Sequence, residues 1–401
     1  MREKTITIVL TILLLLVTMI VVPSINKLVP LLLGGGILLV LLLANYKKFT
    51  IDKKDILILI FAILIFVSTM LSGNVKNSII GEQKRYEGML SLFSYIVIYF
   101  SAKKFLNYKN KKILLGVFYI IYISICTLGL LQYYIKIPNI SLFNKGIIGT
   151  FGNTNFMGSF LSIGLPVFTI MYITKNSKIS LLVSALAFFC LIACEARSAW
   201  VAISLFSIFL LIYLLKQKNK EFFKRAIVLL IIFVIIFMHL FTVGSNFVKR
   251  KINTTLKDTK VAITQGINKN MGSGRIHIWN ITIDLVKKYP FFGVGPDNLK
   301  YGLANNGTEE YIEYIKNYNS IIDKAHNEYL QIAVTIGIPA LTVYCTFLFF
   351  ILYEKRKLIY NNLLVFIIYS SILCYMIQAF FNISIIRNCS VILVCFRINR
   401  Q

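Results

Sequence analysis

The sequence predicts an all-α polytopic membrane protein with about 11–12 transmembrane helices and one large, partly helical loop between spans 9 and 10. The 401 residues are 57% hydrophobic, and the mean hydropathy is +0.75. Apolar runs recur along the chain, each with about the 20 residues that a helix needs to cross ~30 Å of hydrocarbon. We therefore expect residues 1–401 to form a single integral membrane domain.

Eleven apolar runs are candidate spans. The first follows the basic start MREK without a small-residue cleavage site after it, which favours a retained helix over a signal peptide. After the eleventh span, the apolar piece within 387–401 is too short to cross, so this C-terminal tail is atypical for a twelfth helix. The candidate spans are 5–22, 28–44, 55–71, 89–102, 113–135, 154–174, 179–194, 198–215, 226–245, 326–350 and 363–386.

The basic residues predict the orientation of the chain. Its formal net charge is +27, a value that would suggest nucleic acid as a partner for a soluble protein. Seven Lys and Arg residues lie in the connections after spans 1, 3, 5 and 7, whereas nineteen lie in the even-numbered connections. The positive-inside rule then places the N-terminus in the cytoplasm and residues 246–324 outside. Most of the basic excess reflects topology, and we expect no nucleic-acid partner.

Residues 246–324 form the longest connection, which we call the cap. A loop of this length in a compact protein is usually functional. Two segments show helical spacing of apolar residues, separated by the turn-rich stretch YPFFGVGPDNL. The expected apolar faces are Ile276, Trp279, Ile283 and Val286 in the first helix, and Tyr311, Ile315 and Tyr318 in the second.

The cap carries twelve Lys and Arg residues against seven Asp and Glu residues. A solvated basic face explains this excess as well as an anionic ligand does, and both interpretations stay open. Long loops are exempt from the positive-inside rule, so topology does not decide between them.

Three arginines are predicted to lie at the outer surface. Glu195 and Arg197 interrupt a long apolar stretch in CEARSAW, either as a neutralised pair at a tight turn or with Arg197 facing a cavity and holding an anion. Arg85 precedes span 4, and Arg275 opens the first cap helix. Helix N-termini and guanidinium forks both suit phosphate oxygens, so these arginines are candidate ligands of an anion.

One of the three histidines, His326, is the first residue of the predicted span 10. A neutral imidazole has a pKa near ~6.5 and is able to take a proton from a hydroxyl group, so His326 is the candidate general base, with Asn327 and Glu328 supporting it. The alternative is that His326 caps the span. His239 and His277 are expected to be packing residues.

The sequence shows no motif for a metal or cofactor. The seven cysteines lie in or beside apolar runs without zinc spacing, and neither a paired-aspartate spacing for a magnesium–nucleotide sugar nor a phosphate-binding Gly-x-x-x-x-Gly-Lys loop occurs. These patterns favour chemistry without metal or cofactor on a substrate presented outside the membrane.

Four stretches together resemble the O-antigen ligase and polymerase superfamily. They are FGNTNFMGSFLSIGLPV, EARSAW, GRIHIWNITIDLVKKYPFFGVGPDNL and AHNEYLQIAVTIGIPAL, and the last two are the most specific. The resemblance covers most of residues 80–345. It implies about twelve helices with a large outer loop between the ninth and tenth.

The resemblance also implies an activity and a set of partners. A glycan would move from an undecaprenyl-diphosphate carrier to an acceptor hydroxyl on a glycan, lipid or protein, at the outer face of the bacterial cell membrane and without metal. By motif, His326 would be the general base, and Arg275 and Arg197 would bind the diphosphate leaving group.

Several functions share these features. A ligase, a repeat-unit polymerase, a teichuronic-type wall polymerase and a protein O-glycosylating enzyme differ only in the acceptor. A flippase or transporter of lipid-linked sugar would use the same arginines for binding alone, but it predicts inverted repeats and charges deep in the spans. A non-enzymatic assembly partner gives no reason for His326.

Overall fold

The fold is entirely helical in the residues that the computed structural model describes, which are 28–44, 50–83, 85–105, 111–135, 146–242, 247–265, 272 and 274–383. The predicted all-α class is confirmed. The helices are α1 Leu28–Ala44, α2 Lys53–Met70, α3 Val75–Ile80, α4 Met89–Phe105, α5 Lys111–Ile135, α6 Thr154–Lys175, α7 Lys178–Ala193 and α8 Arg197–Gln217. They continue with α9 Lys220–Thr242, α10 Phe247–Gln265, α11 Arg275–Lys288, α12 Leu299–Asn306, α13 Glu309–Tyr318, α14 Glu328–Thr335, α15 Ile338–Glu354 and α16 Leu363–Phe381.

Five of these helices are long and apolar enough to cross a membrane, namely α5, α6, α8, α9 and α16. The shorter helices α1, α7 and α15 are also apolar, and the predicted spans 55–71 and 89–102 correspond to α2 and α4. The chain is a multi-pass membrane protein. The predicted span 5–22 and the tail 387–401 lie outside the described residues.

Helix α9 exposes a large apolar surface on the outside of the bundle. Only 11% of its most apolar stretch is buried within the protein, so its large aliphatic side chains point outward. An exposed apolar surface of this extent suits contact with lipid tails rather than water. Its exposed apolar residues include Ile227, Leu230, Ile231, Val234, Ile235 and Met238.

Helix α6 is the centre of the bundle, since 94% of its apolar window is buried. It packs against α7, α8, α9 and α16. A close approach of α5 depends on Gly164, because a Cβ there would lie 2.1 Å from the Tyr122 hydroxyl oxygen. The same hydroxyl donates a hydrogen bond to the Phe160 carbonyl oxygen of α6.

The cap has an apolar core of its own, to which α11, α12, α13 and α14 contribute. The predicted apolar face of α11 is only partly correct: Val286 is buried and Ile276 and Trp279 are half-buried, but Ile283 is 41% exposed. The other buried apolar residues of α11 are Ile278, Ile281 and Leu285. Both faces of α11 carry apolar residues at helical spacing, and packing against α14 selects one of them. In α13, Tyr311 and Tyr314 are buried, while the predicted Tyr318 is exposed. This second core fixes the cap onto the helix that follows His326.

The predicted continuous span 326–350 is broken into α14 and α15 at Ile336 and Gly337, which is a correction. The turn-rich stretch of the cap supplies the reason, because it satisfies the last carbonyl groups of α14. The backbone N–H groups of Val294 and Gly295 donate to the carbonyl oxygens of Val334 and Thr335, both at 2.9 Å. Gly337 has a φ of +107°, and a Cβ there would collide with the Phe291 carbonyl oxygen, so glycine is required.

Candidate active site

His326 lies in a non-helical segment, residues 320–327, that joins the cap to α14. Its neighbours are tied to separate elements. The Lys324 ammonium pairs with the Asp297 carboxylate, and both side chains are buried. The Trp279 indole N–H of α11 donates to the Ala325 carbonyl oxygen at 3.0 Å, and the Ala325 N–H donates to the side-chain oxygen of Gln331, in α14, at 2.9 Å. The segment therefore presents His326 from a fixed backbone.

The backbone of His326 is itself unusual. Its φ is +52°, in the left-handed region that a non-glycine residue seldom occupies without surrounding support. The helix cap is provided by Asn327, whose side-chain oxygen accepts from the Leu330 N–H at 3.0 Å. The alternative prediction that His326 caps the helix is therefore wrong, and the supporting residue Asn327 has that structural role.

The surroundings of His326 favour its neutral form. Burial lowers the pKa of His326 to about 4, and the positive charges of Arg275, Arg85 and Lys324 act in the same direction. The Asp323 carboxylate opposes them. An imidazole with this pKa is unprotonated at neutral pH, which is the state that a general base requires.

Two of the three predicted anion ligands begin helices. Arg275 is the first residue of α11, after Gly274 in a left-handed conformation, and Arg197 is the first residue of α8. Burial lowers the pKa of Arg275 to about 10, and the positive charge of Arg197 adds to this effect. Since Arg275 also acts on His326, the structure brings Arg197, Arg275 and His326 into one electrostatic neighbourhood.

The site contains further cations, Lys251 and Arg250 of α10, that sequence reasoning missed. Burial lowers the pKa of Lys251, and Arg197, Arg275 and Arg250 lower it further, while Glu195 raises it. Burial also raises the pKa of Glu195, against the opposing charges of Lys251 and Arg250. Glu195 therefore interacts electrostatically with Lys251 and Arg250 of the cap. The sequence had indicated only Arg197 as its partner. Nothing in the spacing of α10 singles out Lys251 among the other lysines of that helix.

Arg85 is placed differently from the other two arginines. Its Nη2 and Nε atoms donate to Oδ2 of Asp323 at 2.7 and 3.1 Å. Its guanidinium group also lies over the Phe156 ring, 5.5 Å from the centroid. The predicted role of Arg85 as an anion ligand stays a prediction, but in this structure its donors serve a carboxylate.

The supporting residue Glu328 lines a cavity of about 160 Å³ next to the His326 segment. Four charged residues line it, and apolar side chains of α2, α4, α15 and α16 form much of the remaining wall. Burial raises the pKa of Glu87, which lines the cavity, to about 8, although Lys324 and a hydrogen bond from Tyr95 oppose the rise. The Tyr95 hydroxyl donates to Glu87 at 3.0 Å.

The loop before α4 is held against the cap by buried polar contacts. The Asp297 carboxylate accepts from the backbone N–H groups of Glu82 and Glu87 at 2.8 and 3.1 Å. The Asn298 amide nitrogen donates to the Ser72 and Ser78 hydroxyl oxygens at 2.6 and 2.8 Å. These contacts fix the position of Arg85 and Glu87 relative to His326.

Among the described residues, no group of three or more His, Cys, Asp or Glu side chains is arranged to hold a metal ion. His239 accepts or donates a hydrogen bond with the Tyr134 hydroxyl at 2.9 Å. His277 is buried, with its ring nitrogen 3.5 Å from the Glu310 carboxylate. Both therefore have partners away from the His326 segment.

The fold is that of a multi-pass membrane protein, and its candidate site contains cationic residues of the cap and of α8. The family model described as O-antigen ligase matches residues 182–345, and this match supports a resemblance of that part of the chain to the O-antigen ligase and polymerase superfamily. The matched residues include Arg197, Arg275 and His326, whereas Arg85 precedes them. No curated protein sequence matches the chain. The family is enzymatic and has a ligase- or polymerase-type role in cell-surface polysaccharide biosynthesis.

Proposed function

We propose that the protein transfers a glycan from an undecaprenyl-diphosphate carrier to an acceptor hydroxyl at the outer face of the bacterial cell membrane. One observation carries the proposal: the largely buried His326 lies within the electrostatic reach of Arg275, and Arg275 lies within that of Arg197. Base and cations are the two elements that transfer from a diphosphate carrier needs.

The chemistry balances without another reactant. The acceptor hydroxyl loses its proton to His326 as its oxygen bonds to the anomeric carbon of the donor sugar. The bond from that carbon to the diphosphate oxygen breaks, and the electron pair leaves with the diphosphate. Arg197 and Arg275 stabilise the negative charge that develops on the diphosphate leaving group. This stabilisation is greater in the transition state than in the bound substrate.

The acceptor distinguishes the members of this class. A ligase attaches a finished chain, a polymerase lengthens one, and a protein glycosylating enzyme modifies a polypeptide. Deleting the gene and analysing the surface glycan tests this directly: loss of chain length indicates a polymerase, whereas loss of attachment with free lipid-linked chains indicates a ligase. A flippase would instead leave short, lipid-linked glycan on the cytoplasmic side.

The proposed topology places the cap outside, and Asn305, exposed on α12, reports on it. In intact cells, Asn305→Cys should react with a membrane-impermeant maleimide, whereas Asn219→Cys, at the exposed α8–α9 turn, should react only after the membrane is opened. The parent chain, with its seven cysteines, gives the background. The reverse pattern would turn the site to the cytoplasm and exclude an external acceptor.

We also propose that transfer needs no metal, because base and cations are supplied by side chains. Activity in proteoliposomes should then be unchanged by EDTA at a concentration that removes divalent ions. The measurement is the rate of glycan transfer before and after chelation. If chelation abolishes transfer and magnesium restores it, the roles of Arg197 and Arg275 need revision.

A further inference from the structure

Helix α8 begins at a tight turn that several contacts hold in place. Glu195 has a φ of +57°, which turns the chain out of α7. The Trp200 indole N–H donates to the Leu191 carbonyl oxygen at 3.2 Å. Helix α6 packs so close to the turn that a Cβ at Gly158 would lie 2.5 Å from the Ala196 Cβ. The N-terminus of α8 is therefore fixed relative to the bundle.

No side chain caps this helix. Its N-cap residue, Ala196, has no hydrogen-bonding side chain, and the N–H groups of Ala199 and Trp200 both donate to the Ala196 carbonyl oxygen, at 2.9 and 3.3 Å. The first two N–H groups, those of Arg197 and Ser198, have no carbonyl group of their own helix to bond. They contribute to the partial positive charge at the N-terminus of a helix of 21 residues.

Ser198, in this first turn, carries a buried hydroxyl group without a partner. The residue is 4% exposed, and its Oγ makes no hydrogen bond within the described part of the chain. Serines deeper in helices find a partner, since Ser159, Ser207 and Ser370 each donate to the carbonyl oxygen four residues earlier. Ser198 lacks this possibility because the left-handed residue Glu195 interrupts the helical geometry three residues before it.

Four other buried hydroxyl groups also make no hydrogen bond among the described residues. They lie further along their helices, where the carbonyl groups of the preceding turn are available as acceptors. They belong to Ser101, Thr169, Ser184 and Ser371. At Ser198 the partner has to come from outside the helix. Since an unpaired buried hydroxyl group costs free energy, its position at a helix N-terminus favours a ligand that pairs with it.

The donors at the start of α8 suit a phosphate group. Arg197 offers a planar fork of N–H groups, and Ser198 offers a hydroxyl and a backbone N–H from the adjacent position. A serine side chain is short, so Oγ stays beside the helix N-terminus in every rotamer. A phosphate group has enough acceptor oxygens for all these donors, and the helix N-terminus favours its negative charge.

We propose that the N-terminus of α8 binds one phosphate group of a diphosphate, and that Ser198 is a binding residue there through its hydroxyl group. This role rests on the proposed function in regarding the carrier diphosphate as the leaving group. Ser198 adds a neutral donor to the two arginines, on a helix whose dipole also favours the departing negative charge.

Inorganic pyrophosphate is the probe for this site, with the full chain in nanodiscs. Calorimetry gives its dissociation constant, and thermal unfolding is followed with and without it, for the parent, Ser198→Ala and Ser198→Cys. Ser184→Ala is the matched control, because Ser184 is also a buried serine whose hydroxyl makes no hydrogen bond among the described residues. Glycerol phosphate, which resembles a phospholipid headgroup, tests the other source of a phosphate group.

Ser198→Ala should weaken pyrophosphate binding by about tenfold, the usual effect of losing a hydrogen bond to a charged group. Ser198→Cys, whose thiol is a weaker donor, should bind with intermediate affinity, and Ser184→Ala should bind as the parent does. Without ligand, Ser198→Ala should unfold at the parent's temperature or above it, because it removes a buried unpaired hydroxyl group. Pyrophosphate should therefore raise the unfolding temperature of the parent more than that of the variant.

Parent-like pyrophosphate binding by Ser198→Ala would overturn this role. So would a lower unfolding temperature of the ligand-free variant, since the hydroxyl group would then already have a stabilising partner such as buried water. If glycerol phosphate binds the parent as tightly as pyrophosphate does, the site belongs to a phospholipid headgroup instead. Should Ser198→Ala not fold, parent-like binding by Ser198→Cys decides against the role.

Failure of the proposed function gives a different result. Arg197→Lys and Arg275→Lys would then leave pyrophosphate binding unchanged, and the arginines would not hold a diphosphate. If these two variants bind pyrophosphate more weakly while Ser198→Ala binds it normally, the cationic site stands and the role of Ser198 alone is wrong.

Discussion

Replacing His326 is expected to lower glycan transfer per folded molecule by roughly 10²- to 10⁴-fold, the usual contribution of a positioned acid–base group. His326→Asn is the better variant than His326→Ala. Asparagine tolerates the left-handed backbone of this position, where φ is +52°, so the substitution removes the base with little added strain. The arginines proposed to hold the diphosphate stay in place, so binding of the donor should persist.

The measurement is the transfer rate in proteoliposomes, divided by the amount of folded protein. His239→Ala is the matched control, because His239 bonds to Tyr134 and should not affect transfer. A His326→Asn protein within threefold of the parent would contradict the role as base. Reduced yield with normal transfer by the surviving molecules would leave His326 a structural residue.

The pH dependence carries a signature of the same base. Only the neutral imidazole accepts a proton, and the pKa of His326 in the free protein is about 4. The value of kcat/KM should therefore be flat from neutral pH down to about 5 and fall as the pH drops through 4. A bound diphosphate neutralises part of the charge of Arg275 and so raises the pKa of His326. The acidic fall of kcat should therefore occur at a higher pH than the acidic fall of kcat/KM.

The sequence singled out Arg197, Arg275 and His326 as candidate site residues because each breaks a pattern. Arg197 stands where an apolar run ends and α8 begins, Arg275 begins α11 after the stretch GSG, and His326 follows a turn-rich connection at the start of an apolar run. Polar residues in such places need a reason, and their spacing identified them without coordinates. The all-α class followed in the same way from the length and hydropathy of the runs.

What the sequence did not predict depends on contacts between distant segments. The partner of Arg85, Asp323, lies 238 residues further along the chain, and Asp297 meets Glu82 and Glu87 across a similar separation. No local periodicity encodes such pairs. The break at Gly337 had a signal in the sequence, because Pro339 follows the glycine two residues later. The continuous apolar run around it nevertheless favoured an unbroken helix. The hydrogen bonds from Val294 and Gly295 to the last carbonyl groups of α14 account for the break.

Arg275→Lys and Arg197→Lys should each lower kcat by roughly 10²- to 10³-fold, about the effect of removing one preorganised donor from a developing negative charge. Lysine keeps the charge but offers a point rather than a planar fork, so it does not reproduce bidentate contact with phosphate oxygens. Loss of kcat rather than a rise in KM is expected, because the charge on the diphosphate grows as the sugar leaves.

Arg225→Lys gives a matched control for these variants, since Arg225 of α9 donates to the Ile173 carbonyl oxygen at 3.0 Å, away from His326. Rates per folded molecule and binding of inorganic pyrophosphate should both be measured. If both site variants raise KM and leave kcat unchanged, the arginines bind the ground state and the transition state equally. Another group must then stabilise the negative charge on the leaving diphosphate. Lys251 is then the next residue to test, because burial and its neighbours Arg197 and Arg275 have already lowered its pKa, and a bound dianion would relieve that repulsion.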